Sequence, residues 1–376
     1  MARGWWIFFL AVGRLLAQED MGIPSEGSVR GQRDTVGFAT TPKAMAILWE
    51  LSQTPPAPEM LGEVPPPGVV GIVCPHDDYI YAGRMYRLLV PLVTARHVVV
   101  VGVLHRWKRL AVGERLVFDP FRSWRSPDGL VPVSGIQKRL LKYLSPEDFA
   151  VSRELSESEH SAEAVVYWLK HHNPDVAIVP ILVPGMGFPR LVELASRIGL
   201  ALKHLMDEEG LVAGKDVALA ISADAVHYGP DFQHTPFGEG GVEAYTGAVQ
   251  RDKDLLLGPL AGPITRDKVW EAFQTWVDPE DVGSYRLTWC GRFSIPMGYL
   301  LAASAFGNVV AKPVAYATSV GWPELPAEGL GVGRTAPANL YHFVGYPGIV
   351  LTQEKTGKPP RFIGPPDRKP PALTKA

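Results

Sequence analysis

Pro75-His76-Asp77-Asp78-Tyr79-Ile80-Tyr81-Ala82-Gly83 follows directly on the apolar run Val69-Val70-Gly71-Ile72-Val73-Cys74 and precedes Arg84 to Thr94, where apolar residues recur at helical spacing. A short, continuous apolar run reads as a strand buried on both faces. His76 therefore stands on a strand-to-helix turn. In open α/β sheets the carboxyl ends of the strands form the crevice in which ligands bind.

Working outward, the same arrangement recurs. His97 to Val103 is a second apolar run and ends at Leu104-His105. Asp175 to Val183 reads as a third strand. Asp216 to Ser222 reads as a fourth, leading into Ala223-Asp224-Ala225-Val226-His227-Tyr228-Gly229. Helical patterns lie between and after them, at Ile136–Leu144, Glu157–His171, Gly185–Met206, Val242–Arg251, Arg266–Thr275 and Ile295–Ala305. An earlier helix opens at Thr41-Pro42, a good N-cap followed by a proline suited to the first helical position. Pro313–Val320 and Leu340–Gly345 read as late strands, and residues 108–134 as an irregular excursion containing a hairpin. Strands alternating with helices predict an α/β fold with a mostly parallel central sheet and helices on both faces.

The chain has 376 residues, 46% hydrophobic and 20% charged, long enough for one large domain. Its formal net charge of −2 carries no basic excess of the kind a nucleic acid partner demands. Cys74 and Cys290 are the only cysteines, so no disulfide framework is expected. Residues 1–35 are expected to be a lead-in, 36–353 the folded domain, and 354–376 a disordered Lys/Pro-rich tail. Met1-Ala2-Arg3, the apolar stretch from Gly4 and Leu15-Leu16-Ala17 have the order of a signal peptide, interrupted by Arg14. We expect a cytoplasmic protein, with export to the periplasm as the alternative. No stretch is long enough to span a bilayer, so an integral membrane protein is not expected.

His76, His105 and His227 each follow a predicted strand, with Asp224 three residues before the last. Any one of them alone reads best as a loop or capping histidine. Three at one sheet edge suggest a metal or acid–base cluster, since histidine is the commonest metal ligand. Cys290 precedes the apolar helix near Gly291, where a helix N-terminus lowers a thiol pKa. Cys74, inside an apolar strand, reads as a small buried hydrophobe. Glu159, His160 and Glu163 open one helix. Glu159 and Glu163 are expected on one face, where they could supply acid–base partners or orient metal-bound imidazoles. Of Tyr79 and Tyr81, one is expected to face the cleft and the other to pack. No glycine fingerprint for a dinucleotide or phosphate follows a strand, and no Gly-x-Ser-x-Gly elbow is present.

These segments together resemble the Memo family, whose bacterial and archaeal members are called AmmeMemoRadiSam system protein B. The resemblance rests on Pro75-His76-x-x-Tyr79-x-Tyr81-x-Gly83, Val100-Val101-Gly102-Val103-Leu104-His105, Glu159-His160-Ser161-x-Glu163, Ser222-Ala223-Asp224-x-x-His227-Tyr228-Gly229 and Cys290-Gly291-Arg292, in that order. It implies a fold similar to class III extradiol dioxygenases. It also implies a pocket in which His76, His105, His227 and Cys290 bind a transition metal, copper or iron first and zinc as an alternative. Asp224, Glu159 and His160 are the candidate catalytic groups. A redox-capable metal-binding protein is one expectation. A metal-dependent enzyme, a non-haem iron dioxygenase or a hydrolase acting on an unidentified small molecule, is the other, and a metal-free interaction module is a third. The resemblance further implies a functional link to AMMECR-type and radical SAM proteins. The chain departs from the family pattern at Asp77-Asp78, where Ala-Gly is usual, at Val103-Leu104 for Pro-Ser, and at Phe293 for histidine.

Overall fold

The computed structural model describes residues 22–110 and 112–354. The N-terminal apolar stretch and the tail beyond Glu354, on which the signal-peptide and disorder expectations fall, lie outside the described residues.

The apolar runs become strands: β1 (Gly71–Cys74), β2 (His97–Val103), β5 (Ala177–Val183) and β6 (Val217–Ser222). Two three-residue strands, β3 (Leu116–Phe118) and β4 (Phe149–Val151), and two long ones, β7 (Val309–Thr318) and β8 (Phe343–Gln353), complete the main path of the large sheet. From one edge to the other it runs Gly262–Pro263, β7, β8, β1, β6, β2, β5, β3, β4. β1, β6, β2 and β5 are mutually parallel, whereas β8 meets β1 antiparallel and β3 meets β5 antiparallel. The expected parallel sheet is thus the centre of a mixed one.

Strand alternation divides the core into two layers. Val99 and Val101 of β2 pack with Leu191 and Leu202 of α6 (Phe188–Glu209) and with Leu300 of α9 (Ser294–Phe306). Val98 and Val100 face the opposite way, onto Met45 of α1 (Pro42–Leu51), Met85 of α2 (Tyr79–Leu89) and Trp168 of α5 (Ser161–His172). This period-two segregation of side chains is what buries a sheet on both faces. Shorter helices α3 (Gly135–Leu140) and α4 (Arg153–Glu157) follow the Ser123–Ser126/Gly129–Pro132 hairpin and β4, respectively. α7 (Gly241–Leu257) and α8 (Arg266–Trp276) precede α9. No helix among the described residues is long and apolar enough to cross a membrane.

Helix α2 starts at Tyr79, five residues before the expected Arg84, and gives way at Val90 to a 3₁₀ turn containing Pro91. Proline removes the amide that would continue an α-helix. Tyr79 and Tyr81 are consequently both buried on a helix. Their hydroxyls donate to Ala164 O and Ala336 O at 3.0 Å each, so neither acts as a donor into the cleft. The late strands are longer than expected because Pro347 and Gly348 interrupt the apolar pattern of β8 without breaking its pairing to β7.

The order β1-β6-β2 positions the site. Strand β6 lies between the strands that lead to His76 and His105, and its own continuation carries Asp224 and His227. Three carboxyl ends remote in sequence are therefore adjacent.

Candidate metal centre

Each histidine is fixed by an acceptor at Nδ1. Ser222, the last residue of β6, donates its hydroxyl to Ser161 O (2.5 Å), so its oxygen is free to accept from His76 Nδ1 at 2.8 Å. That assignment leaves the lone pair on His76 Nε2. This atom is buried, has no hydrogen-bond partner, and lies 3.4 Å from Asp224 Oδ2. Two acceptors facing each other in a buried site call for a cation between them. Asp224 also accepts the His76 amide at 2.9 Å through Oδ1.

His105 Nδ1 lies 2.9 Å from Glu159 Oε1. The same carboxylate accepts the amides of His105 (2.7 Å), His160 (2.8 Å) and Ser161 (2.9 Å), and so caps the start of α5. Burial disfavours this charge. The His105 imidazole and the converging amides outweigh burial and hold the Glu159 carboxyl far below the usual carboxylate range. His227 Nδ1 lies 3.3 Å from Ala225 O, and Thr288 brackets the His227 backbone, donating to its carbonyl (2.7 Å) and accepting from its amide (3.3 Å).

Cys290 closes the site. It stands on a 3₁₀ turn (Cys290–Arg292) before α9, and Gly291 allows this turn to approach β6, because a Cβ there would lie 2.6 Å from that of Ala223. Cys290 Sγ is 3.5 Å from His227 Nε2. Burial alone would raise the thiol pKa, but His227 and His105 together pull it well below the ordinary value. Reciprocally, Cys290 and Asp224 hold His227 at about 9 against its burial. Each group thus favours the charged form of the other.

The expected ligands thus fall into two overlapping triads, His76/His105/Cys290 and Asp224/His227/Cys290, in each of which the donor atoms lie within 4.8 Å of one another. A third group, His105/Glu159/His160, satisfies the same criterion. The donor set, imidazoles and one thiolate with a neighbouring carboxylate, could hold a transition metal. Beside the first triad opens a pocket of about 260 Å³. His160, whose ring stacks on His105 with centroids 5.3 Å apart, lines it, as do Asp34, Asp77, Asp78 and Thr335.

Other expectations change. Glu163 does not share a face with Glu159. Glu159 precedes α5 and turns toward His105, whereas Glu163, inside its first turn, binds Arg30 and the amides of Arg33 (2.6 Å) and Asp34 (3.1 Å). Asp77 and Asp78 do stand beside the cleft as expected: Asp78 accepts the amide (2.6 Å) and hydroxyl (3.2 Å) of Thr335, and Asp77 accepts from the Tyr346 hydroxyl at 2.5 Å.

Three supporting residues had escaped the sequence reading. Ser222 and Ser161 fix the His76 tautomer. Arg30, from the polar stretch expected as a lead-in, is 2% exposed and donates to Ser156 O (2.7 Å) and Glu159 O (2.5 Å), anchoring the turn that carries Glu159. Ser161 and Ser222 stand inside the quoted histidine segments but carried no assigned role. Nothing local marks Arg30.

Residues 57–323, more than half of the chain, match the family described as Memo-like protein. The chain belongs to the Memo-like family. It is 28% identical over 174 residues to a MEMO1 family protein of Thermococcus onnurineus, covering 44% of this chain and 55% of that relative. It is 27% identical over 245 residues to Protein MEMO1 of Danio rerio, covering 62% and 72%. For Protein MEMO1 of Xenopus laevis the identity is 27% over 246 residues, covering 62% and 71%. The chain therefore spans little more than half the length of the Thermococcus relative. Family membership is shared, and in this chain His76, His105, His227 and Cys290 come together at one edge of the sheet.

Proposed function

We propose that this Memo-like protein binds a single redox-active transition metal, copper or iron, through His76 and His105 Nε2 and the Cys290 thiolate, with His227 or Asp224 completing the set. The observation that carries this reading is the common state of the three imidazoles. Each has its Nδ1 facing an acceptor, and the most buried of them, His76, has an Nε2 with no partner. That is how ligating histidines are held in metal proteins. Imidazole suits copper, iron and zinc, while a thiolate favours Cu(I), zinc and iron. When bound, copper or iron would supply one-electron chemistry. The chain's own residues lower the Cys290 thiol pKa and leave it 8% exposed, and metal binding would displace the proton that His227 favours in the free protein.

The test is metal content after anaerobic loading with Cu(I), Fe(II) or Zn(II) and desalting, by elemental analysis. The wild type should retain about one ion per chain, and His76→Ala and Cys290→Ala should retain little. Equal and negligible content in all three proteins would overturn the reading.

A second reading, a metal-dependent oxygenase or hydrolase, draws on the pocket beside the triad. His160 is the proton-transfer candidate there. Its side chain is 39% exposed, and partial burial lowers its pKa, favouring the neutral imidazole that can accept a proton. Glu159, committed to its donors, would orient His105 without exchanging protons. Oxygen uptake with catechols by Fe(II)-loaded protein, lost in His160→Ala, would support this reading. No turnover by the wild type would count against its oxygenase form.

A further inference from the structure

We propose that Asp252 is a positioning residue of the metal centre: through three hydrogen bonds it fixes the segment carrying His227 against the segment carrying Cys290. The proposal rests on reading those two residues as ligands.

Asp252 lies on α7, between Arg251 and Lys253, and is fully buried. Its Oδ1 accepts the indole N–H of Trp289 at 2.6 Å, and Trp289 is the residue before Cys290. Its Oδ2 accepts the amide of Val226 at 3.3 Å, and Val226 is the residue before His227. The third donor is the Tyr316 hydroxyl of β7, 2.7 Å from Oδ2. One carboxylate thus joins the indole of the residue ahead of Cys290 to the backbone amide of the residue ahead of His227, from an element that contributes no ligand itself. β8 closes over it: a Cβ on Gly345 would lie 2.6 Å from Oδ2, and Gly345 exchanges backbone hydrogen bonds with the 225–226 segment (2.8 and 2.9 Å).

The arrangement needs acceptors at both oxygens. An amide in the same place would turn N–H groups toward either Trp289 or the Tyr316 and Val226 donors. Asp252→Asn is therefore nearly isosteric but cannot satisfy all three bonds. Outer hydrogen-bond partners of this kind commonly contribute 10–100-fold to metal affinity. Asp252 makes no hydrogen bond to a ligand, so beyond its charge near His227 its effect passes through the Cys290–His227 geometry.

The experiment titrates Co(II) anaerobically into the metal-free full-length chain and reads the thiolate-to-Co(II) charge-transfer band beside the binding isotherm. The wild type should bind Co(II) and show the band. Asp252→Asn and Trp289→Phe, which removes the indole donor and leaves a smaller ring in its place, should weaken Co(II) roughly 10–100-fold and shift or abolish the band. The double variant should add little to either. Tyr316→Phe removes a donor from the same carboxylate without touching a ligand-bearing segment, and should keep the wild-type band. A wild type that binds no Co(II), or binds it without the band, overturns the metal reading itself. A wild-type band and affinity in both Asp252→Asn and Trp289→Phe overturns the positioning role alone. So does an equal shift in all three variants, since that would mark a packing effect. If one of the two key variants is not recovered folded, the other decides.

Discussion

The two halves of the site are held in different ways. His76 and His105 follow strands in the parallel centre of the sheet, and their Nδ1 atoms meet a committed hydroxyl at 2.8 Å and a carboxylate at 2.9 Å. His227 opens a two-residue strand paired with β8 and Cys290 stands on a 3₁₀ turn, with a backbone carbonyl 3.3 Å from His227 Nδ1 and the Cys290 sulfur as its neighbour. The first half is preorganised: its tautomers and ring planes are set before any metal arrives. The second has longer side-chain contacts, 3.3 Å and 3.5 Å, so it is expected to adjust more readily to an ion. A carboxylate behind an imidazole also raises its basicity as a ligand, so His105 should contribute more to affinity than His227. The two buried carboxylates behind the halves differ in sign as well. Glu159 is held low by its imidazole and amide donors, whereas burial drives Asp252 up to about 7 despite its three neutral donors.

The comparison breaks most severely at the foundation of the fixed half. Arg30→Ala would leave Glu163 buried without its cation and release Ser156 O and Glu159 O together. Removing one partner of a buried ion pair costs about 3–5 kcal/mol. Chemical denaturation of the metal-free protein should show a loss of that order; a loss under about 1 kcal/mol would mean the pair behaves as a surface pair does. The next effect is confined to the centre. Glu159→Gln keeps the shape but replaces a carboxylate oxygen with an amide, and metal affinity should fall roughly 10–100-fold in competition with a chromophoric chelator. An unchanged affinity would show that His105 needs no anionic support.

What the sequence disclosed follows the same division. The fixed half was legible because buried parallel strands write themselves as unbroken apolar runs, and a histidine at the end of such a run stands out. The three-residue strands β3 and β4 were too short to show a pattern. Arg30 sits in a polar stretch and gains its role only when Val29–Arg30 pairs with Ser123–Trp124. Asp252 was hidden more thoroughly. Its neighbours Arg251, Lys253 and Asp254 make that turn look solvated, and the expected helix stopped at Arg251, six residues before the observed end at Leu257. A buried acid inside a charged stretch leaves no periodic trace, because what buries it is the approach of β8, remote in sequence.

The opposite pKa directions sharpen the comparison through pH. The Glu159 pKa is depressed in the folded protein, so its contribution is present above the unfolded value near 4.5 and is lost as pH falls. That of Asp252 is raised from 3.8 to about 7, so its contribution is full below 3.8 and is lost as pH rises toward 7. Each limb has a slope of at most about 1.4 kcal/mol per pH unit. Unfolding free energies of the metal-free protein from acid to neutral pH should show Glu159→Gln flattening the acid limb and Asp252→Asn flattening the upper one. The same limb flattened by both variants would mean that the two carboxylates act as one network.

The smallest effect lies in the adjustable half. Thr288→Val is close to isosteric and deletes the bonds that bracket the His227 backbone. A typical hydrogen bond contributes about 1 kcal/mol net, and His227 retains its Ala225 contact and the Asp252 tie at Val226. Metal affinity should therefore fall only about fivefold, less than the roughly 10–100-fold expected for Glu159→Gln. An arm that adjusts to its ion tolerates the loss of one brace, whereas a preorganised imidazole does not. If Thr288→Val proves as damaging as Glu159→Gln, the His227 arm is as rigid as the His105 arm, and the selectivity of the centre would have to come from both halves alike.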